Sequence, residues 1–132
     1  MKNVHRPGDK KSFIRMVTEK DFARFEAGLV HPVFSTFALG RDAEWTCRLF
    51  VLDMLEEGEE GIGTFLNIRH ETPAFEGSEV KFTGKLLSLE ENVIVCSFEA
   101  HVNERLIADG KTGQKIVLKK NLELYFEKIK KY

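Results

Sequence analysis

The stretch TFALGRDAEWTCRLFVLDML, Thr36 to Leu55, decides how the rest of the chain must be arranged. Phe37, Ala38, Ala43, Trp45, Leu49, Phe50, Leu52 and Met54 lie nearly all round a helical cylinder, so the spacing predicts a helix that other elements bury. Ser35 or Thr36 can cap its start, and the run LEEGEEG, Leu55 to Gly61, breaks it.

Past the break the chain reads as strand: Ile62 to His70, Glu79 to Leu89, Asn92 to Val102 and Leu106 to Leu118. In the third of these Ile94, Cys96, Phe98, Ala100 and Val102 alternate with Val95, Ser97 and Glu99, so one face is apolar and the other mixed. Short turns at Glu90 to Asn92 and Asn103 to Arg105 make neighbouring strands antiparallel. Ahead of the helix, Lys11 to Val17 reads as an opening strand. Thr18 and Asp21 form a capping pattern, and Phe22 and Phe25 then read as one face of a short helix ended by Gly28, a flap over something. Asn121 to Lys131 reads as a terminal helix outside the sheet. The fold class is therefore α+β, an antiparallel sheet wrapped around one long central helix.

The expected organisation is a single domain over residues 1–132, since no repeat, low-complexity stretch or Pro/Gly/Ser-rich linker divides the chain. Apolar residues at 42%, with eleven Phe, supply a core and argue against disorder. The 20 Lys and Arg nearly cancel the 21 Asp and Glu, and no basic stripe alternates with aromatics, so no nucleic-acid partner is expected. The charged first twenty residues lack the apolar centre of a signal peptide, and no run reaches membrane-spanning length. The expected location is the cytoplasm, with no membrane partner. Cys47 and Cys96 lack ligand or CxxC spacing and read as buried free thiols, with no metal site.

VFST at Val33 to Thr36, EWTC at Glu44 to Cys47 and EEGIGTFLNIRH up to His70 resemble the fluoroacetyl-CoA thioesterase family of hotdog proteins. The likeness runs from about Phe22 to Val117, and the pattern SEVKFTGKLLSLEENVIVCSFEAHV is of a kind many hotdog proteins share. The resemblance implies a hotdog fold, pairing into a homodimer or higher homo-oligomer, and hydrolysis of a short-chain acyl-CoA with no cofactor beyond the CoA of the substrate. It places the catalytic roles on Thr36, Glu44 and His70, and a backbone N–H at the substrate carbonyl on Gly63. FARF at Phe22 to Phe25 looks like the family's lid, which with Phe34 of VFST makes Phe22, Phe25 and Phe34 substrate-binding candidates. An Arg in the family's last strand corresponds here to Gln114. That departure, and the longer spacing between FARF and VFST, leave preference for a fluorinated acyl group outside the resemblance.

The same residues have plainer readings. Thr36 can be only a helix cap. Glu44 can pair with Arg41 or Arg48 along the helix. His70 can be a strand-end surface residue, and His31 before Pro32 a turn residue. Eight residues along a helix separate Thr36 from Glu44 by about 12 Å of rise and about 80° of rotation, so the two cannot hydrogen-bond within one chain. Either His70 bridges them or two subunits share the site. The rival functions are a non-catalytic acyl-CoA binding or sensing module, which the same fold could support, and an enoyl-CoA hydratase, whose Asp and His motif is absent.

Overall fold

Helical and alternating periodicities resolve into seven strands and two helices in the computed structural model, which describes residues 1–132. They are β1 (Lys10–Met16), β2 (Phe22–Phe25), β3 (Gly28–Phe34), α1 (Thr36–Met54), β4 (Glu59–His70), β5 (Glu79–Glu90), β6 (Val93–Val102), β7 (Arg105–Leu118) and α2 (Lys119–Lys130). Five strands form one sheet in the order β1-β5-β6-β7-β4, every pairing antiparallel, while β2 and β3 make a separate hairpin. Two-residue connections, with Glu91 and Asn103 in the left-handed region, join β5 to β6 and β6 to β7. One antiparallel sheet with one long helix is the arrangement that the periodicity predicts and that the resemblance to hotdog proteins implies.

The sheet curls around α1. Leu39, Ala43, Cys47, Phe50 and Met54, spaced four, four, three and four residues apart, put one face of the helix against Phe82 and Leu86 of β5 and Ile94, Cys96 and Phe98 of β6. Each large side chain so buried contributes about 1.5–3 kcal/mol relative to exposure. The helix comes close at Gly84, where an added Cβ would stand 3.2 Å from Thr46 Cγ2, so a side chain there would push α1 off the sheet. The N-terminal segment fastens the far end of α1: the Met1 ammonium bonds Glu56 and Glu59, and His5 bridges Asp9 and Asp53.

The structure departs from the sequence reading in three places. The helix is not buried all round, because Phe37 (83% exposed), Trp45 (41%) and Leu52 (42%) face outward where no element of this chain covers them. The capping box of Thr18 and Asp21 closes only one 3-10 turn, Glu19–Asp21, and Phe22 and Phe25 lie on a strand rather than a helix. Local spacing of three residues fits either state, and the turn at Gly28 with φ of +109° folds β2 back on β3 instead. His31 accordingly sits within β3 opposite Ala23 rather than in a turn, and Pro32 is accommodated because a two-stranded hairpin has only edge strands. The terminal helix α2 is present and none of its residues is buried. No helix is long and apolar enough to cross a membrane.

Candidate active site

Ser35 is the residue that caps α1, its hydroxyl accepting from the Ala38 N–H, which releases the Thr36 side chain from that duty. Thr36 Oγ1 instead lies 2.9 Å from His70 Nδ1, a hydrogen bond joining the first turn of α1 to the last residue of β4. Burial lowers the pKa of His70, while the Thr72 backbone opposes this without a well-formed hydrogen bond to the ring. Its Nε2 is buried and has no hydrogen-bond partner. A neutral imidazole so held can take the Thr36 hydroxyl proton or orient that hydroxyl toward an electrophile.

Glu44 lies two turns further along α1, on the face turned toward β4. Neither expected ion pair forms: Arg48 bonds Glu60 and the Gly61 carbonyl, and Arg41 bonds Asp21 and Asp42. The Glu44 carboxylate rests instead over Gly63 of β4, so closely that a Cβ on Gly63 would collide with Glu44 Oε1. β4 shifts register between Gly63 and Phe65, so the strand is irregular where the carboxylate meets it. Gly63 thus leaves room for the Glu44 carboxylate, and a side chain there would displace it.

Two hollows meet here. A cleft of about 440 Å³ between α1 and β4 is lined by Thr36, Phe37, Gly40, Arg41, Glu44 and Leu66 among others. A second, of about 760 Å³, lies under the β2–β3 hairpin and includes Phe22, Phe25, Thr36 and Phe37. Both contain Thr36 and Arg41, and the hairpin forms the roof of the second, a lid built from strands. A polar hollow of about 380 Å³ elsewhere on the sheet, between Asn67, Arg69, Glu99 and Lys111, contains none of these residues.

Two candidates lie in the core. Phe34 is fully buried and packs edge-on against Phe82 in the core, because its position next to the cap turns it inward. Gln114, 2% exposed, faces α1 from β7 directly across from Gly63, where its Nε2 donates to the Glu44 carbonyl at 3.4 Å and its Oε1 has no partner. It braces the backbone of Glu44 from the core. Cys47 and Cys96 are free and buried, and the hydrogen bond to Cys47, with burial, pushes the Cys96 thiol up. No three His, Cys, Asp or Glu side chains gather closely enough to hold a metal ion.

Sequence reasoning missed the ion-pair network behind the cleft. Asp42, 1% exposed, accepts from Arg15 and Arg41, while Arg41 also reaches Asp21. Burial pushes the Asp21 carboxyl up, but the Thr18 N–H and Arg41 outweigh it and hold it below the usual range. Adjacent Arg41 and Asp42 within a largely apolar helix were the available signal, but their partners come from β1 and from the turn before β2.

The model of the FlK family, fluoroacetyl-CoA-specific thioesterase, matches residues 17–120. A hypothetical protein of Thermus thermophilus described as a thioesterase superfamily member is 34% identical and superposes with a TM-score of 0.90 over 96% of this chain and 93% of its own. A point mutant of the fluoroacetyl-CoA-specific thioesterase FlK, in complex with fluoroacetate and CoA, is 22% identical with a TM-score of 0.83, covering 89% and 99%. A hot-dog-like protein from Thermanaerovibrio acidaminovorans is 22% identical with a TM-score of 0.84, covering 92% and 90%. A search of curated protein sequences gives no match.

Proposed function

The chain belongs to the fluoroacetyl-CoA-specific thioesterase family, a family of thioester hydrolases, and from that premise we propose that it hydrolyses short-chain acyl-CoA through Thr36, His70 and Glu44. The observation that carries the reading is the 2.9 Å contact of Thr36 Oγ1 with His70 Nδ1 at a cleft that Glu44 also lines. The relative's complex with fluoroacetate and CoA supports a small acyl group on CoA. In the reaction His70 draws the proton from Thr36 or from a water beside it, and Glu44 activates or orients the attacking group over the Gly63 backbone. Collapse of the tetrahedral adduct breaks the C–S bond, the departing CoA thiolate taking the proton back from His70; where Thr36 attacks, a water then hydrolyses the ester by the same steps. The Gly63 N–H and the free N–H groups at the start of α1 offer donors to the oxygen that becomes negative. No cofactor beyond the CoA of the substrate is needed.

Thr36 with His70 and Glu44 with Gly63 are separate pairs in one chain, divided by about 12 Å of helical rise. A working set containing both is completed by a second copy. Supporting this, β4 has an unpaired edge carrying exposed Phe65 and Leu66, beside the exposed Phe37 and Trp45 of α1.

The test is thiol release from a panel of acyl-CoAs of increasing chain length by wild type and Glu44→Ala. Hydrolysis of the short members that Glu44→Ala loses is expected. Binding without turnover by wild type would make the chain an acyl-CoA binding module instead.

A further inference from the structure

Arg41 is the cation shared by both hollows, and its fork is only partly used. Nε donates to Asp42, Nη2 donates to Asp42 and Asp21, and Nη1 makes no hydrogen bond within the chain. Two carboxylates, one fully buried, thus fix the guanidinium plane while one end of it stays free at a half-exposed position beside the cleft. Fixing a long side chain in this way removes most of the ordering cost that binding an anion would otherwise carry.

The charge around the lid pocket has one sign. Lys20, Arg24 and Arg41 line it together with His31, Phe22 and Phe25, and no Asp or Glu does. Arg15 and Arg41 are balanced by Asp21 and Asp42, whereas Lys20 and Arg24 form no ion pair. The pocket is therefore apolar in its walls and cationic at its rim, which suits a short hydrocarbon ending in an anion. Arg41 follows Thr36 by five helical residues, about 7.5 Å of rise and about 140° of rotation, yet both line this one pocket, so an acyl chain that starts at Thr36 and ends at Arg41 has only a short spacer between.

We propose, building on the thioesterase reading above, that the pocket under the β2–β3 hairpin takes an acyl group ending in a carboxylate and that Arg41 Nη1 binds that carboxylate. The anion could also be a phosphate of CoA, but those phosphates lie at the far end of the pantetheine arm, away from Thr36.

The experiment compares succinyl and butyryl thioesters, each on CoA and on phosphate-free N-acetylcysteamine, with wild type and Arg41→Gln. Wild type should favour succinyl over butyryl in kcat/KM by about tenfold or more on both carriers, the selectivity one charge-assisted hydrogen bond confers. Arg41→Gln should bring that ratio to about one on both. Equal rates for the two acyl groups in wild type would overturn the proposal. So would an Arg41→Gln defect that appears on CoA but not on N-acetylcysteamine, which would assign the anion to a phosphate. If Arg41→Gln fails to fold, the double variant Lys20→Gln/Arg24→Gln, outside the ion-pair network, should lower the succinyl preference several-fold, and an unchanged ratio would refute it. If wild type hydrolyses none of these thioesters the thioesterase reading fails, and calorimetry with hydrolysis-resistant succinyl- and butyryl-dethia-CoA then decides. Tighter succinyl binding that Arg41→Gln abolishes upholds the carboxylate pocket, and equal binding overturns it.

Discussion

Replacing Gly63 with Ala tests whether the contact between β4 and the Glu44 carboxylate matters to turnover. The new methyl would collide with Glu44 Oε1 alone on one side, its next neighbour being Glu44 Cδ at 3.5 Å, so the carboxylate must retreat by about 1 Å to regain ordinary separation. Glu44 is solvent-exposed and makes no hydrogen bond through its carboxylate, so the retreat costs little stability. A misplacement of about 1 Å in a reacting group costs about 100-fold in rate. Gly63→Ala should therefore lower kcat/KM for a short acyl-CoA by about 100-fold while its melting temperature stays near wild type. Glu44→Ala removes the collision, so adding Gly63→Ala to it should cost no further activity. The assay is thiol release for wild type, both single variants and the double variant, beside thermal melts of each. Additive losses would refute the reasoning, since Gly63 would then act through its own backbone. Wild-type turnover in Gly63→Ala would remove the Glu44 carboxylate from the chemistry at that position.

His70→Ala should lower single-turnover hydrolysis by about 100-fold with a melt close to wild type, and unchanged turnover would exclude His70 from the site. Because burial depresses the His70 pKa, its neutral form persists below the ordinary imidazole value, so the acidic limb of kcat/KM should have its midpoint below about 6.5. The same shift makes the unfolded chain bind the proton more readily, so stability should decline as pH falls from about 6.5 toward the folded pKa, and His70→Ala should flatten that decline in pH-dependent melts. Cys47→Ala removes a buried sulfur that packs between α1 and the sheet and should cost about 1–2 kcal/mol in denaturant titration with turnover retained. Sedimentation at micromolar protein should report a dimer or larger assembly, and a monomer would contradict the shared-site reading.

Much of the fold was written in local pattern. The spacing of Leu39, Ala43, Cys47, Phe50 and Met54 fixes α1 because a helix carries its own periodicity, and the alternation from Ile94 to Val102 fixes β6 in the same way. The β2–β3 hairpin escaped because Phe22 and Phe25 are spaced for a helix and their pairing with β3 is decided only when Gly28 turns the chain. Thr36, Glu44 and His70 could be named from a resemblance, but spacing could not say which of them touch.

Contact between Thr36 and His70 spans 34 residues and exists because β4 runs back along α1 after the turn near Gly58. Phe34 and Gln114 are site candidates by resemblance yet lie in the core, since which way a residue points depends on the sheet that closes over it. Arg41 reads in sequence as a charge on a helix, and it becomes an oriented cation only when Asp21 from the preceding turn and the Asp42–Arg15 pair meet it. The sequence by itself determined the central helix, the four strands that follow it and their alternation, because those depend on neighbours within a few residues. The tertiary structure alone decided which side chains share a cleft, because contacts between distant segments form only where burying the apolar faces of α1 and the sheet brings them together.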